Sequence, residues 1–176
     1  MARRSGIYIV PTDTWYIERT VWLVAGAVLL ASTALALWVH PWFALFIAAT
    51  GLASVLVSLT GFCPIGNVLI RLGFEGKLNE KRADGFYFMK TDKWYLERRI
   101  YIVVGINISI ASVLSIVHSP WWLAFTGFVG VAMFWFASTG FCIMANGLYW
   151  LGFEPRLAPA KSSTPPLPAV AHPARG

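Results

Sequence analysis

Charge is what this chain has least of. Only 12% of its 176 residues are Asp, Glu, Lys or Arg, against 57% hydrophobic residues, a balance foreign to soluble globular domains. The shortage falls in blocks: residues 20–39, 42–70, 100–117 and 121–151 contain no charged side chain. Each block is near or above the roughly 20 residues needed to cross hydrocarbon, so four membrane-spanning helices are expected. The first is too long for the apolar core of a signal peptide (~7–15 residues) and is expected to remain in the mature protein. Cysteine is scarce as well. Two cysteines exclude a disulfide framework, and two thiolates alone do not complete a zinc site. The chain shows no Ser/His/Asp set, no paired carboxylates within the apolar blocks and no phosphate-binding glycine loop. Enzyme activity therefore has no positive support, and no cofactor is expected.

What is present is a recurrence. Thr60-Gly61-Phe62-Cys63, Asn67 and Leu72-Gly73-Phe74-Glu75 return as Thr139-Gly140-Phe141-Cys142, Asn146 and Leu151-Gly152-Phe153-Glu154. The offset is constant, since 142 − 63 = 79 and 154 − 75 = 79. It extends upstream through Gly6/Gly85, Tyr8/Tyr87, Asp13/Asp92, Trp15-Tyr16/Trp94-Tyr95, Glu18-Arg19/Glu97-Arg98 and Pro41-Trp42/Pro120-Trp121. A fixed period makes the repeat the unit of the fold. The expected organisation is all-α and integral to the membrane: repeat one over residues 1–78, repeat two over 79–157, each with two spans, and a disordered Pro/Ala-rich tail over 158–176.

The net charge of +6 sits at the ends of the spans, which argues against nucleic acid as the partner. Arg3, Arg4 and Arg19 precede the first span. Arg71, Lys77, Lys81, Arg82, Lys90, Lys93, Arg98 and Arg99 lie between the second and third, and Arg156, Lys161 and Arg175 follow the last. The short turns around His40-Pro41 and His118-Ser119-Pro120 carry no Lys or Arg. By the positive-inside rule both termini and the central segment are cytoplasmic, and the location is a bacterial inner membrane.

Several positions are candidates for chemistry. Thr12-Asp13 and Thr91-Asp92 read as helix N-caps, with Trp15-Tyr16 and Trp94-Tyr95 in the first turn at headgroup level. Glu18-Arg19 and Glu97-Arg98 then enter the membrane, either as interfacial anchors with a snorkelling Arg or as ion pairs across the bundle at its inner face. Asn107 lies inside the third span and is expected to bond another helix. Small residues (Gly26, Gly51, Gly105 and Gly130 among them) form faces suited to close helix contact with a protein partner or a second copy. Pro64 predicts a break after Cys63, while Ile143 would let the second copy stay helical. Gly73-Phe74 reads as a helix stop with a left-handed glycine. Residues 75–93 read as the linker between repeats. His40 and His118 are weak candidates for metal or haem ligation, and no metal is expected. Cys63 and Cys142, near the inner boundary, are buried helix-contact residues, a pair of functional thiols carrying sulfane sulfur or redox equivalents, or ligands to a metal or haem.

A two-helix unit with Arg at its entry, small residues within and a closing Gly61-Phe62-Cys63-Pro64…Leu72-Gly73 resembles the YgaP-like transmembrane domain (DUF2892), here in tandem over 6–78 and 85–157. The resemblance implies a unit found alone or beside a rhodanese sulfurtransferase domain, and associated with homodimers and sulfur metabolism. Nothing in the chain is similar to the rhodanese part, and repeat two has lost the proline. The expected function is that of a non-enzymatic scaffold or accessory subunit of a membrane assembly. The alternative is a conduit or carrier for a small sulfur species or anion (sulfide, thiocyanate or thiosulfate) using Cys63 and Cys142.

Overall fold

The computed structural model describes residues 6–79 and 85–157; Arg3, Arg4, Lys81, Arg82, Lys161, Arg175 and the tail lie outside them. The described residues form six α-helices. α1 (Ile17–Trp38) leads through a short 3₁₀ turn at Pro41–Phe43 into α2 (Ala44–Thr60) and α3 (Pro64–Arg71). α4 (Leu96–Val117), α5 (Trp122–Thr139) and α6 (Ile143–Trp150) follow. Four segments are long and apolar enough to cross a membrane: α1, the turn with α2, α4 and α5. Less than half of each is buried within the chain, so most of their apolar surface is left for lipid, as a helix that meets its own backbone hydrogen bonds allows.

The packing is crossed. α1 lies chiefly against α5 and α2 chiefly against α4, with smaller contacts between α1 and α2 and between α4 and α5. The α2–α4 seam has an antiparallel register readable in steps of seven residues, just under two helical turns. Arg98 meets Ser58 at one end, Gly105 meets Gly51 midway, and Ser112 donates to the Ala44 carbonyl at 2.5 Å near the other end. The α1–α5 seam starts likewise, from Arg19 at Ala137 to Gly26 at Gly130, and then departs from that step at Thr33, whose hydroxyl is 3.0 Å from that of Thr126. A methyl group on Gly105 would stand 2.7 Å from the Gly51 carbonyl oxygen, and one on Gly26 3.0 Å from that of Gly130. The glycines of the small-residue faces are thus taken up inside the chain, and what they were expected to offer an external partner they give to α2–α4 and α1–α5.

The C-terminal ends of α2 and α5 differ from expectation. Both stop, at Thr60 and at Thr139, and α3 and α6 begin after three intervening residues. The cause is shared by the two copies: Gly61 and Gly140 adopt φ of +77° and +74° and close the helices from the left-handed region, which a Cβ disfavours. Pro64 merely occupies the first turn of α3, where its missing N–H costs nothing. The far ends of α3 and α6 stop as anticipated, with Gly73 and Gly152 at positive φ and Phe74 and Phe153 donating back to Leu69 and Leu148.

The helix starts also move. α1 and α4 begin after Tyr16 and Tyr95, and no side chain caps either. Instead the Ile17 N–H donates to Glu75 O and the Leu96 N–H to Glu154 O, each at 2.9 Å. Trp15-Tyr16 and Trp94-Tyr95 therefore precede the helices. Of the segment expected as a linker, the described residues 75–79 and 85–93 are bound to the core: Leu78 and Met89 are buried, and Lys90 N–H donates to Leu78 O.

Candidate functional site

The polar residues of the recurring motif gather in one layer, where α1 and α4 begin and α2 and α5 end. Two buried carboxylates anchor it. Glu18, in the first turn of α1, accepts hydrogen bonds from Leu78 N (2.6 Å), Lys77 N (3.1 Å) and the Tyr87 hydroxyl (3.0 Å). Glu97, in the first turn of α4, accepts from Leu157 N (2.8 Å), Arg156 N (3.0 Å) and the Tyr8 hydroxyl (2.7 Å). Both are fully buried. A carboxylate with this many donors, next to a helix N-terminus, is compensated for its loss of water.

The tyrosines come from the opposite copy in both cases, and their backbones are held by Asn67 and Asn146. Asn67 Oδ1 accepts from Tyr87 N while its Nδ2 donates to Tyr87 O and Cys63 O. Asn146 makes the same three bonds with Tyr8 and Cys142. An asparagine side chain thus does the work of a neighbouring β-strand. Backbone bonds complete each strap, Met89 N to Gly61 O and Val10 N to Gly140 O. Burial, and next to it the facing Glu97 carboxylate, push the Tyr8 hydroxyl far above the ordinary phenol range. Burial and Glu18 do the same to Tyr87.

Arg19 and Arg98 are not partners of the glutamates. Among the described residues Glu18, Arg19, Glu97 and Arg98 form no ion pair with one another. Arg19 Nε donates to Ala137 O (2.6 Å), while its Nη atoms reach Ser138 O, Thr12 O and Thr14 O. Arg98 Nε donates to Ser58 O (2.6 Å), with its Nη atoms on Leu59 O, Thr91 O and Lys93 O. Each guanidinium satisfies orphan carbonyls at the C-terminus of the other copy's returning helix, where cations are favoured, and lies over a tryptophan, Trp15 at 4.0 Å and Trp94 at 3.9 Å. The physical reason for the discrepancy is position: adjacent residues on a helix point to different faces. Glu18 and Glu97 turn to the straps, the arginines to the neighbouring helix end.

The thiols differ from each other. Cys63 is buried at the start of α3, and its sulfur accepts from Gly66 N at 3.3 Å. Cys142 is half-buried and lines a cavity between α4 and α5. Burial raises both thiols above the ordinary range, only partly opposed by the nearby N–H groups. Both are thereby kept in the weakly nucleophilic protonated form. His40 and His118 are exposed at the other end. His40 Nδ1 accepts from Trp42 N, and His118 Nδ1 accepts from Trp122 Nε1; no cluster of three or more metal-ligating side chains occurs among the described residues. Asn107 does not bond another helix: it is exposed and its Nδ2 donates to Val103 O in its own helix at 2.7 Å.

Tyr8, Tyr87, Asn67 and Asn146 were not singled out as site residues from the sequence, although all four lie in the recurrence. Their signal is that a polar residue is retained at matched positions beside an apolar block. Compared with known proteins, the chain matches no family model, no curated protein and no solved structure.

Proposed function

We propose that this chain is a non-enzymatic structural subunit of a membrane assembly, built from two tandem two-helix repeats of the YgaP-like type. The observation that carries the reading is the use made of the motif's polar side chains. Glu18, Glu97, Arg19, Arg98, Tyr8, Tyr87, Asn67 and Asn146 are engaged in joining one copy to the other. A side chain whose donors and acceptors hold two helix ends together is poorly placed to pass an ion or carry a reacting group. Protonated, shielded thiols point the same way, since sulfur transfer and thiol relay need thiolate.

The proposed setting is a bacterial inner membrane with both termini cytoplasmic, supported by the basic residues flanking the spans. Arg71, Lys77, Lys90, Lys93, Arg99 and Arg156 then face the anionic leaflet beside the polar layer, and the exposed Trp38, Trp42, Trp121 and Trp122 mark the opposite interface. The partner surface is the outward face of the spans and the basic inner end. Native mass measurement on gently solubilised protein tests this: a stable assembly containing a second protein is expected. A monomer carrying lipid alone, recovered from its native membrane, would refute it.

A further inference from the structure

Repeat two carries cations where repeat one has none. Under the offset of 79, Lys90, Lys93 and Arg99 stand where repeat one has Pro11, Thr14 and Thr20, while the acids Asp13, Glu18 and Glu75 keep their counterparts Asp92, Glu97 and Glu154. Two of those acids are already engaged, Glu97 with its strap and Asp92 with Arg156. The entry of α4 is left with a surplus of positive charge. Arg99 has the most defined setting of the three cations. It is half-buried, its guanidinium lies 4.1 Å from the centre of the Phe153 ring, and its Nε donates to Trp94 O at 3.3 Å. Its two Nη groups meet no acceptor among the described residues.

The stripe of α4 that carries Arg99 continues into a cavity. Residues four apart share a helix face, so Arg99, Val103 and Asn107 stand in line, and the last two line a cavity of about 640 Å³ between α4 and α5. Phe128, Val131 and Ile143 on its rim are exposed, so it opens outward from the bundle, toward hydrocarbon. At 1.5 Å per residue Arg99 stands about 4.5 Å and Asn107 about 16.5 Å from the start of α4. The cavity thus runs from just beyond the guanidinium to the middle of a hydrocarbon layer of about 30 Å, the reach of one leaflet's acyl chains. An apolar cleft alone takes any chain in the bilayer; a cation at its interfacial end adds a choice of head group. We propose that the groove between α4 and α5 holds one anionic phospholipid, with its phosphate on the Arg99 guanidinium and an acyl chain in the cavity. A guanidinium fork matches phosphate oxygens, and Lys90 and Lys93 at the same entry disfavour the ammonium of a zwitterionic head group. The inference rests on the reading above only in placing the basic end at a membrane surface, and it needs no partner protein.

Native mass spectrometry of the full chain in mild detergent, titrated with phosphatidylglycerol or with phosphatidylcholine of the same chains, tests it. One phosphatidylglycerol per chain is expected to bind about tenfold more tightly than phosphatidylcholine. Arg99→Thr, which gives α4 the residue of α1, is expected to remove that preference, and Arg71→Gln, at an exposed cation on α3, to leave it intact. Glycerol phosphate, a head group without chains, is expected not to be retained. Ala132→Phe, which fills the cavity, is expected to lower retention of both lipids. An unchanged preference in Arg99→Thr would overturn the proposal. An equal loss in Arg99→Thr and Arg71→Gln would do so too, since it would mean diffuse attraction to the basic end. Retention of glycerol phosphate would make Arg99 a site for free phosphate and overturn it as well, and these three outcomes are decisive whether or not Ala132→Phe folds. Undiminished lipid retention in folded Ala132→Phe would overturn it equally.

Discussion

At the scale of single residues, the tyrosine hydroxyls decide how firmly the two copies hold together. Tyr8→Phe leaves Glu97 its backbone donors but removes a buried hydrogen bond to a carboxylate, a loss of about 1.5–3 kcal/mol. Thermal unfolding in detergent is expected to show that loss for Tyr8→Phe and again for Tyr87→Phe, while phenylalanine at the exposed Trp15 changes little beyond its contact with Arg19. The same hydroxyls give a pH dependence. Their folded pKa lies above the unfolded value of about 10.0, so the folded state keeps protons that the unfolded chain releases. Stability from this source is complete below about pH 10 and falls as the pH rises further. Melting curves taken up to about pH 11 should show a steepening loss in the wild type and a shallower one in Tyr8→Phe. For the thiols, a maleimide at neutral pH is expected to label both more slowly than free cysteine, with Cys142 ahead of the buried Cys63. Equal, fast labelling would mean that the thiols are not shielded.

The elements were legible in the sequence where composition alone determines them. Charge-free blocks gave α1, α2, α4 and α5 their existence and near-correct limits, because a long apolar run in lipid has few options but a helix. Element ends were harder. The break after α2 was assigned to Pro64 because proline is the stronger generic breaker, yet the break recurs after α5 without a proline, and Gly61 and Gly140 are what the copies share. Gly140→Ala is therefore expected to destabilise by about 1 kcal/mol or more through positive φ alone. The added methyl would also press on the Val10 carbonyl, whereas Pro64→Ala should be nearly silent. The helix starts were misplaced for a related reason: Thr12-Asp13 has cap chemistry, but Glu75 O takes the first N–H from a distance in sequence that local rules do not reach. At the seam itself, Gly105→Ala forces Cβ against Gly51 O, an overpacking expected to cost about 1–3 kcal/mol; measured unfolding that matches wild type would mean that α2 and α4 cross elsewhere.

For the whole molecule, the recurrence named the polar residues but could not say which copy each one serves. A constant offset of 79 is obeyed equally by bonds within a copy and by bonds between copies, so Tyr8 could have faced Glu18 as readily as Glu97. Only the packing of α1 on α5 and of α4 on α2 distinguishes them. Glu18 and Arg19 were legible as unusual, since charge entering a membrane is costly, but most of their partners are backbone groups, which carry no sequence signal. The consequence is that each glutamate takes two backbone donors from its own copy and its tyrosine hydroxyl from the other, while each returning helix end is closed by the other copy's arginine. Flux into liposomes carrying the purified chain tests most directly whether the motif serves cohesion instead of transport. Sulfide, thiocyanate and thiosulfate should enter no faster than into empty liposomes, and Cys63→Ser with Cys142→Ser should change nothing. Entry well above the empty control, abolished by the two serines, would contradict the account and make the thiols a path through the membrane.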